Sequence, residues 1–461
     1  MVLLWVAVVA SRAPLLLHGY GADPDAWRVA YVARELWTFG RYEVSRLPGY
    51  PLYEFISSLP IALGGSFCSN VSTLLCALVV ILVWSRISHT YTRSPRLLVP
   101  ALAFAPLFWV NSAATMDYVW SLLFILIGYG ESLGGRSIRS GLSMGIAVGF
   151  RPSNAVVAAA IIVVLLLHDY PWLRITRFLI AFALSALIAF LPVVHSYGLK
   201  QWLQDTFVQS TSYHESAAMQ ILLFGYRAVY SIGPLAFMAA VLTLGYNAPK
   251  VCEYFRKRDV ILLSSAVGIT AILLLFLLFP NERGYLLPLI PFLLLLLEKV
   301  GSRKALIASI LCILSFAFLN PDVIRHAGMH GTLGLNLRPG MVIEEVLRKQ
   351  ALLNRRAFLS TYPYQENTVV MTGTGPAFWL ENPLVEPLQT QSANDKRDIV
   401  VRSISKRQVL FTPMLDKNSL DSVRAMGYSV LCASDVLAYV EKSTGYSMAS
   451  ERIGLVNVPA F

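Results

Sequence analysis

The sequence predicts an all-α membrane body of about eleven spanning helices, with interfacial juxtamembrane helices, followed by a small α/β domain. Three observations carry that expectation. The chain of 461 residues is 56% hydrophobic and only 14% charged, with mean hydropathy +0.59, too apolar for one water-soluble core. Apolar stretches of roughly 20 residues, the length a helix needs to cross hydrocarbon, recur from the first residue to about Leu319. From Asn320 the composition turns polar, which divides the chain into a polytopic body at 1–319 and a soluble domain at 320–461.

Length and flanking charge place the spans near 1–17, 67–86, 97–112, 118–131, 139–150, 152–168, 174–195, 222–245, 260–279, 284–298 and 304–319. The net charge is +11, and the basic residues sit in short loops: Ser85–Arg96, Gly134–Ser140, Leu173–Arg177, Lys250–Asp259 and Glu298–Lys304. Cytoplasmic loops attract such charge, so the N-terminus is expected inside and the C-terminal domain outside. The opposite loops are then extracytoplasmic: 18–66, Asn111–Asp117, Phe150–Asn154, His195–Gln220 and Phe279–Tyr285. No nucleic-acid constellation accompanies the charge, which reads as topology plus attraction to anionic membrane lipids. Five scattered cysteines without a CxxC pair indicate neither a metal cluster nor a disulfide framework. Met1–Leu17 lacks a basic leader and carries Arg12 inside its apolar run, so it is expected as a retained span.

The first outer loop has structure of its own. Trp27, Ala30, Tyr31 and Leu36 fall at helical spacing within Ala26–Phe39, as in a helix lying along the interface, and Asp25 is placed to cap it. Pro48–Leu63 is apolar but too short and too proline-rich to cross, which suits a second juxtamembrane helix. Beyond Asn320, Thr368–Gly373 and Gln408–Pro413 read as short buried strands, Leu415–Met426 as a helix and Tyr428–Ala433 as the next strand, the order of a βαβ unit. Gly373–Pro376 lacks the third glycine of a dinucleotide turn and reads as a plain strand-to-helix turn.

The residues suited to chemistry lie on the outer loops. Asp23 and Asp25 put two carboxylates about one turn apart, a pair that can serve as a base or hold a divalent cation, although Asp-Pro is also a common turn opener. Asp117 opens a span, where an acid either faces a partner or complements the helix dipole. Arg151, before a proline in a break, and Arg283 in NERGY suit bidentate phosphate binding, against the plainer readings of snorkelling or a local pair with Glu282. His195, Trp202, Asp205, Tyr213, His214 and Glu215 form an aromatic and polar stretch that fits sugar binding, a lid or an ordinary interfacial belt. His326 and His330, four apart, could share a helix face, but no third metal ligand stands nearby.

Four stretches in this order resemble the GT-C glycosyltransferases, the broad group of polytopic membrane enzymes that includes protein O-mannosyltransferases and lipid A aminoarabinose transferases. They are GADPDAWRVAYVARELWTFGRY leading into SRLPGYPLYEF, then TMDYVW, GFRPSN, and ERGYLLPLIPFLLLL. The resemblance implies a polyprenyl-phosphate-linked sugar donor and inverting transfer to an acceptor at the outer face. It implies Asp25 as the base or acceptor-positioning group, with Asp23 its neighbour and Asp117 the second acid; Arg283 and Tyr285 match the basic-aromatic stretch near the donor phosphate. Protein mannosyltransferases carry Asp-Glu at the loop position, whereas Asp25 here precedes Ala26, a departure from that branch. The charge growing on the leaving phosphate would be offset by Arg151 and Arg283. A divalent cation (Mg or Mn), held by Asp23 and Asp25, could share that role, and the sequence does not demand one. A transporter or lipid flippase, or an oligosaccharide polymerase or ligase, are the competing readings; transporters usually carry internal repeats, and no convincing repeat is visible.

Overall fold

The computed structural model describes residues 2–212, 217–280, 282–327, 330–365, 367–373, 375–378, 409–412 and 417–434, with short pieces at 436–437, 440–441, 446–447 and 452–453. His214 and Glu215 therefore lie outside the described residues. Helices dominate: α1 Val2–Leu16, α2 Pro24–Phe39, α3 Pro51–Tyr91, α4 Pro95–Ala103, α5 Pro106–Asn111, α6 Tyr118–Leu133, α7 Ser137–Phe150, α8 Ala158–Leu166, α9 Pro171–Tyr197, α10 Leu199–Ser212, α11 Ala217–Ile232, α12 Pro234–Tyr246, α13 Ala248–Arg256, α14 Val260–Leu278, α15 Leu289–Val300, α16 Arg303–Ser315 and α17 Met341–Thr361. Tight 3-10 turns at Pro152–Val157 and Arg283–Leu286 lead into α8 and α15.

Among the described residues three helices, α3, α9 and α14, are long and apolar enough to cross a membrane individually. The shorter apolar runs Val2–Leu16, Tyr118–Leu133 and Pro152–Leu166 accompany them. The single span expected at 222–245 is instead a pair, α11 and α12, bent by 94° at Gly233 and Pro234. Gly233 sits at φ 100°, and Pro234 cannot donate to the preceding turn, so the rod breaks there. α3 also changes direction, at Gly64 and Gly65, where Gly65 adopts φ 58° and ψ −141°. Its first part, 51–63, is thus distinct from the apolar remainder, as the prolines of Pro48–Leu63 suggested.

Loop contacts fall into two groups. The Arg93 backbone N–H donates to Glu298 at 2.8 Å, Lys299 pairs with Asp259 at 2.8 Å, and Arg174 donates to the Gly135 carbonyl. These belong to the basic set, while 23–25, Asp117, Arg151 and Glu282, all from the opposite set, meet elsewhere. The stretch expected as an outer loop from His195 is helical instead, α9 running to Tyr197 and α10 beginning at Leu199.

After α16 the chain forms an antiparallel hairpin of β1 Leu319–Ala327 and β2 His330–Pro339. His326 lies opposite Gly331 and His330 opposite Ala327, so these histidines sit on paired strands rather than one helix face. Four parallel strands follow: β3 Thr368–Met371, β4 Val409–Thr412, β5 Ser429–Ala433 and β6 Arg452–Ile453, in the order β4-β3-β5-β6. β4 and β5, the strands of the expected βαβ unit, are parallel and flank β3, whose residues are all buried.

α7 approaches α9 closely through Gly141, Gly145 and Gly149, spaced four apart on one face. A Cβ at Gly145 would fall 1.7 Å from Ser185 Oγ and 2.6 Å from the Phe182 carbonyl. Gly145→Ile must therefore part the helices. The expected cost is about 1–3 kcal/mol, read as a lowered unfolding temperature in detergent, with Leu142→Ile on the exposed side of α7 as the neutral control.

Candidate active site

Five separate stretches of chain converge on one alternating row of acids and arginines: Asp25, Arg46, Asp117, Arg151 and Glu282. Each position follows from its local structure. Asp23 sits in extended conformation before Pro24, and its Oδ1 accepts the Asp25 N–H at 2.9 Å, capping α2. The cap is thus Asp23 and not Asp25, because Pro24 occupies the first helical position and fixes the start two residues earlier than expected. Asp25 is left in the first turn with its carboxylate free to face the row.

Arg46 lies on the loop between α2 and α3, and several buried groups hold that loop. Glu54 accepts from Tyr42 Oη at 2.6 Å and from the Ser45 N–H at 2.6 Å. Trp202 Nε1 donates to the Pro48 carbonyl at 2.6 Å, and the Val44 N–H donates to Tyr197 Oη at 3.3 Å. Arg46 then pairs with Asp25 Oδ2 at 3.1 Å through Nε and with Asp117 Oδ1 at 3.2 Å through a terminal nitrogen. One guanidinium joins the two carboxylates that the sequence singled out.

Asp117 begins α6 but makes no capping bond with its side chain. Its second oxygen accepts from Arg151 at 2.7 Å, and both side chains are 1% exposed. Arg151 can reach it because α7 stops at Phe150 and the backbone turns extended at Arg151, ahead of Pro152. The other terminal nitrogen of Arg151 donates to Glu282 Oε2 at 2.7 Å, where Tyr118 Oη also donates at 2.6 Å. Tyr118 and Tyr285 lie under the Arg151 guanidinium at 3.8 and 4.5 Å, and Tyr50 under Arg46 at 4.0 Å. Only glycine fits at 284, since a Cβ there would meet the Tyr118 ring at 2.1 Å.

The structure brings together Asp23, Asp25, Asp117, Arg151 and Tyr285. Arg283 is placed apart, 39% exposed and 3.6 Å from Glu344 of α17, while its neighbour Glu282 enters the row. His195 is exposed near the end of α9. Arg46, Tyr50, Glu54 and Tyr118 were not singled out from sequence, although Arg46, Tyr50 and Glu54 stand in SRLPGYPLYEF. Glu282 was considered only as a partner for Arg283.

The electrostatics separate the carboxyls. Burial foremost, then the Asp25 and Glu282 carboxylates, push Asp23 up to about 7. Burial opposes ionisation of Glu282 as well, but Arg151 and Arg46 outweigh it and hold Glu282 below its ordinary value. Among the described residues no group of three or more His, Cys, Asp or Glu is placed to hold a metal ion. The Asp25 oxygens face Arg46 at 3.1 Å and Arg28 at 3.5 Å, a surrounding that disfavours a cation. A half-open apolar cavity of about 230 Å³ is lined by Pro51, Leu52, Phe55, Ile146, Ile188 and Pro192.

Two outcomes follow. Because the folded state holds a proton on Asp23 that the unfolded chain releases near pH 3.8, stability falls as pH rises from there through about 7. Asp23→Asn keeps the capping oxygen and should flatten that fall, unfolding at a higher temperature than the parent protein at pH 8. Arg151→Gln leaves Asp117 buried and half-paired, with an expected loss of about 3–5 kcal/mol. Adding Asp117→Asn should restore part of it, which a double-mutant cycle measures.

No protein-family model and no curated protein matches the chain. Among solved structures it is similar to ArnT from Cupriavidus metallidurans bound to undecaprenyl phosphate, at 16% identity and TM-score 0.47, covering 79% of this chain and 66% of that one. The apo state of the same protein aligns at 18% identity and TM-score 0.44, with the same coverage. Arabinosyltransferase EmbB from Mycobacterium smegmatis aligns at 17% identity and TM-score 0.43, over 67% of this chain and 30% of that one. This chain thus spans just under two thirds of ArnT and less than a third of EmbB.

Proposed function

We propose that this chain is an integral membrane glycosyltransferase that moves a sugar from a polyprenyl-phosphate donor to an acceptor hydroxyl at the non-cytoplasmic face. The observation that carries the reading is Arg46 bridging Asp25 and Asp117, with Arg151 on the far side of Asp117. That arrangement places an accessible carboxylate beside two oriented guanidiniums. Asp25, 15% exposed, is the base, whereas Asp117, 1% exposed, aims the arginines.

The acceptor hydroxyl gives its proton to Asp25 as its oxygen attacks the anomeric carbon. The bond from that carbon to the phosphate oxygen breaks, and its electron pair leaves with the carrier phosphate. Arg46 and Arg151 offset the charge that collects there, which lowers the barrier because the guanidiniums are already oriented. The prenyl chain has a low-polarity path along the cavity beside Pro51 and Leu52, one residue from Tyr50. Glu282, the partly exposed partner of Arg151, is the group the phosphate would replace. Tyr285 packs beneath that guanidinium, and Arg283 adds positive potential one residue away. Asp23, titrating near neutrality, is the neighbouring proton acceptor.

The basic loops support a cytoplasmic N-terminus and about eleven crossings, with 320–461 an extracytoplasmic domain. His195, His214 and Glu215 remain candidates for contacts with substrate.

The test is transfer from labelled polyprenyl phosphate sugars by the protein in liposomes. Asp25→Asn should lower transfer by about 10²–10⁴-fold, the usual contribution of a general base. Undiminished transfer would falsify the assignment of Asp25. Movement of the intact labelled lipid between leaflets, without transfer, would favour the flippase reading instead. A reporter fused after Asn320 should signal an exterior location.

A further inference from the structure

Lys349 lies in α17 yet is only 1% exposed, among the largest fully buried side chains of the protein. Burial lowers its pKa, with Glu345 opposing that shift, and its Nζ donates to two backbone carbonyls: Leu15 at 2.9 Å and Ala113 at 3.0 Å. Leu15 lies in the last turn of α1, where unpaired carbonyls and the negative end of the helix dipole favour a cation. Ala113 belongs to the turn between α5 and Asp117. One ammonium thus ties together the two stretches of backbone that lead to Asp23, Asp25 and Asp117.

A buried polar network extends the tie. Asn70 donates to the Leu16 carbonyl at 3.1 Å and the Gly19 carbonyl at 2.8 Å, and its own oxygen lies 3.0 Å from the Thr115 hydroxyl. The Thr115 N–H donates to the Tyr20 carbonyl at 2.8 Å. Thr115 lies two positions before Asp117, and Tyr20 three positions before Asp23. Elsewhere on α17, Glu344 reaches Arg283 at 3.6 Å and Arg356 lies over Trp27 of α2 at 5.2 Å. The helix therefore touches three of the stretches that build the acid-arginine row.

We infer that Lys349 is a positioning residue: through it, α17 holds the Asp25 and Asp117 backbones in the register that lets Arg46 bridge them. The inference rests on the glycosyltransferase reading for its consequence in turnover. Its structural content stands apart from any activity, and the experiment has an arm for each.

Hydrogen exchange followed by mass spectrometry is measured on the full-length protein in detergent, for the parent, Lys349→Met, and Arg348→Ala on an exposed face of the same helix. Lys349→Met should speed exchange in peptides covering 17–27 and 112–117 by at least tenfold, and Arg348→Ala should not. Unchanged exchange in both peptides overturns the inference, whether or not the protein transfers sugar. Where the parent transfers sugar, Lys349→Met should cut kcat by tenfold or more while KM for the polyprenyl phosphate donor stays within about twofold. Lys349→Arg, which keeps the charge and the donors, should recover both readouts in part. A KM rise with kcat intact assigns Lys349 to donor binding and also overturns the inference. If Lys349→Met does not fold, the comparison of Lys349→Arg with the parent decides: faster exchange limited to those two peptides supports the inference, and a global increase overturns it. If the parent shows no transfer, the glycosyltransferase reading fails, and the exchange arm still decides the role of Lys349.

Discussion

Asp117, buried and held between two arginines, is the interaction on which the rest of the site depends. A carboxylate at 1% exposure is tolerated only when its charge is matched, and here Arg46 and Arg151 match it at 3.2 and 2.7 Å. Each arginine has a second carboxylate to satisfy, Asp25 for one and Glu282 for the other. The row therefore begins and ends on acids that reach toward solvent, while its centre is dry. Charge balance makes the five positions interdependent, and no member can be moved without leaving a neighbour uncompensated.

The same economy governs the cations buried without an acid in contact. Arg12, inside the first apolar run, donates to Ser112 Oγ at 3.1 Å and to the Ala103 carbonyl, and stacks over Trp109 and Phe104 at 5.0 and 5.3 Å. Lys349 likewise uses carbonyls at the end of α1 and beyond α5. In both cases the interrupted helices α4 and α5 matter. A break in a helix frees carbonyls, and a cation is the group that uses them best where water is scarce. The irregular backbone around Phe104–Thr115 is thus a set of acceptors that locks α1, α3 and α17 around the carboxylate-bearing turns.

Much of the local structure was legible from residues alone. The helix after GADPD, the break at Arg151 and the separate character of Pro48–Leu63 follow from prolines, apolar spacing and charge, which act over a few residues. The buried strand Thr368–Met371 was legible for the same reason. Other expectations failed where two local signals compete. Continuous apolarity at 222–245 suggested one span, but Gly233 and Pro234 bend it; the spacing of His326 and His330 suggested a helix face, but those residues pair as a hairpin. Asp25 was expected to cap α2, and the proline between two aspartates gave that role to Asp23. Arg46 went unremarked because a single arginine in a loop looks like any surface charge.

By itself the sequence determined that this is a chain for a membrane, which of its loops are basic, and where acids and arginines interrupt otherwise apolar runs. Those are properties of composition and short-range order, and no tertiary contact is needed to read them. Only the folded structure decided that Glu282 rather than Arg283 enters the row, that Arg46 joins Asp25 to Asp117, and that Lys349 reaches across to α1. The reason is physical: ion pairs over 71 or 131 positions of sequence form because helix packing brings two charges into a place where neither can remain alone. That requirement is set by the surroundings of each residue, and the surroundings exist only once the chain has folded.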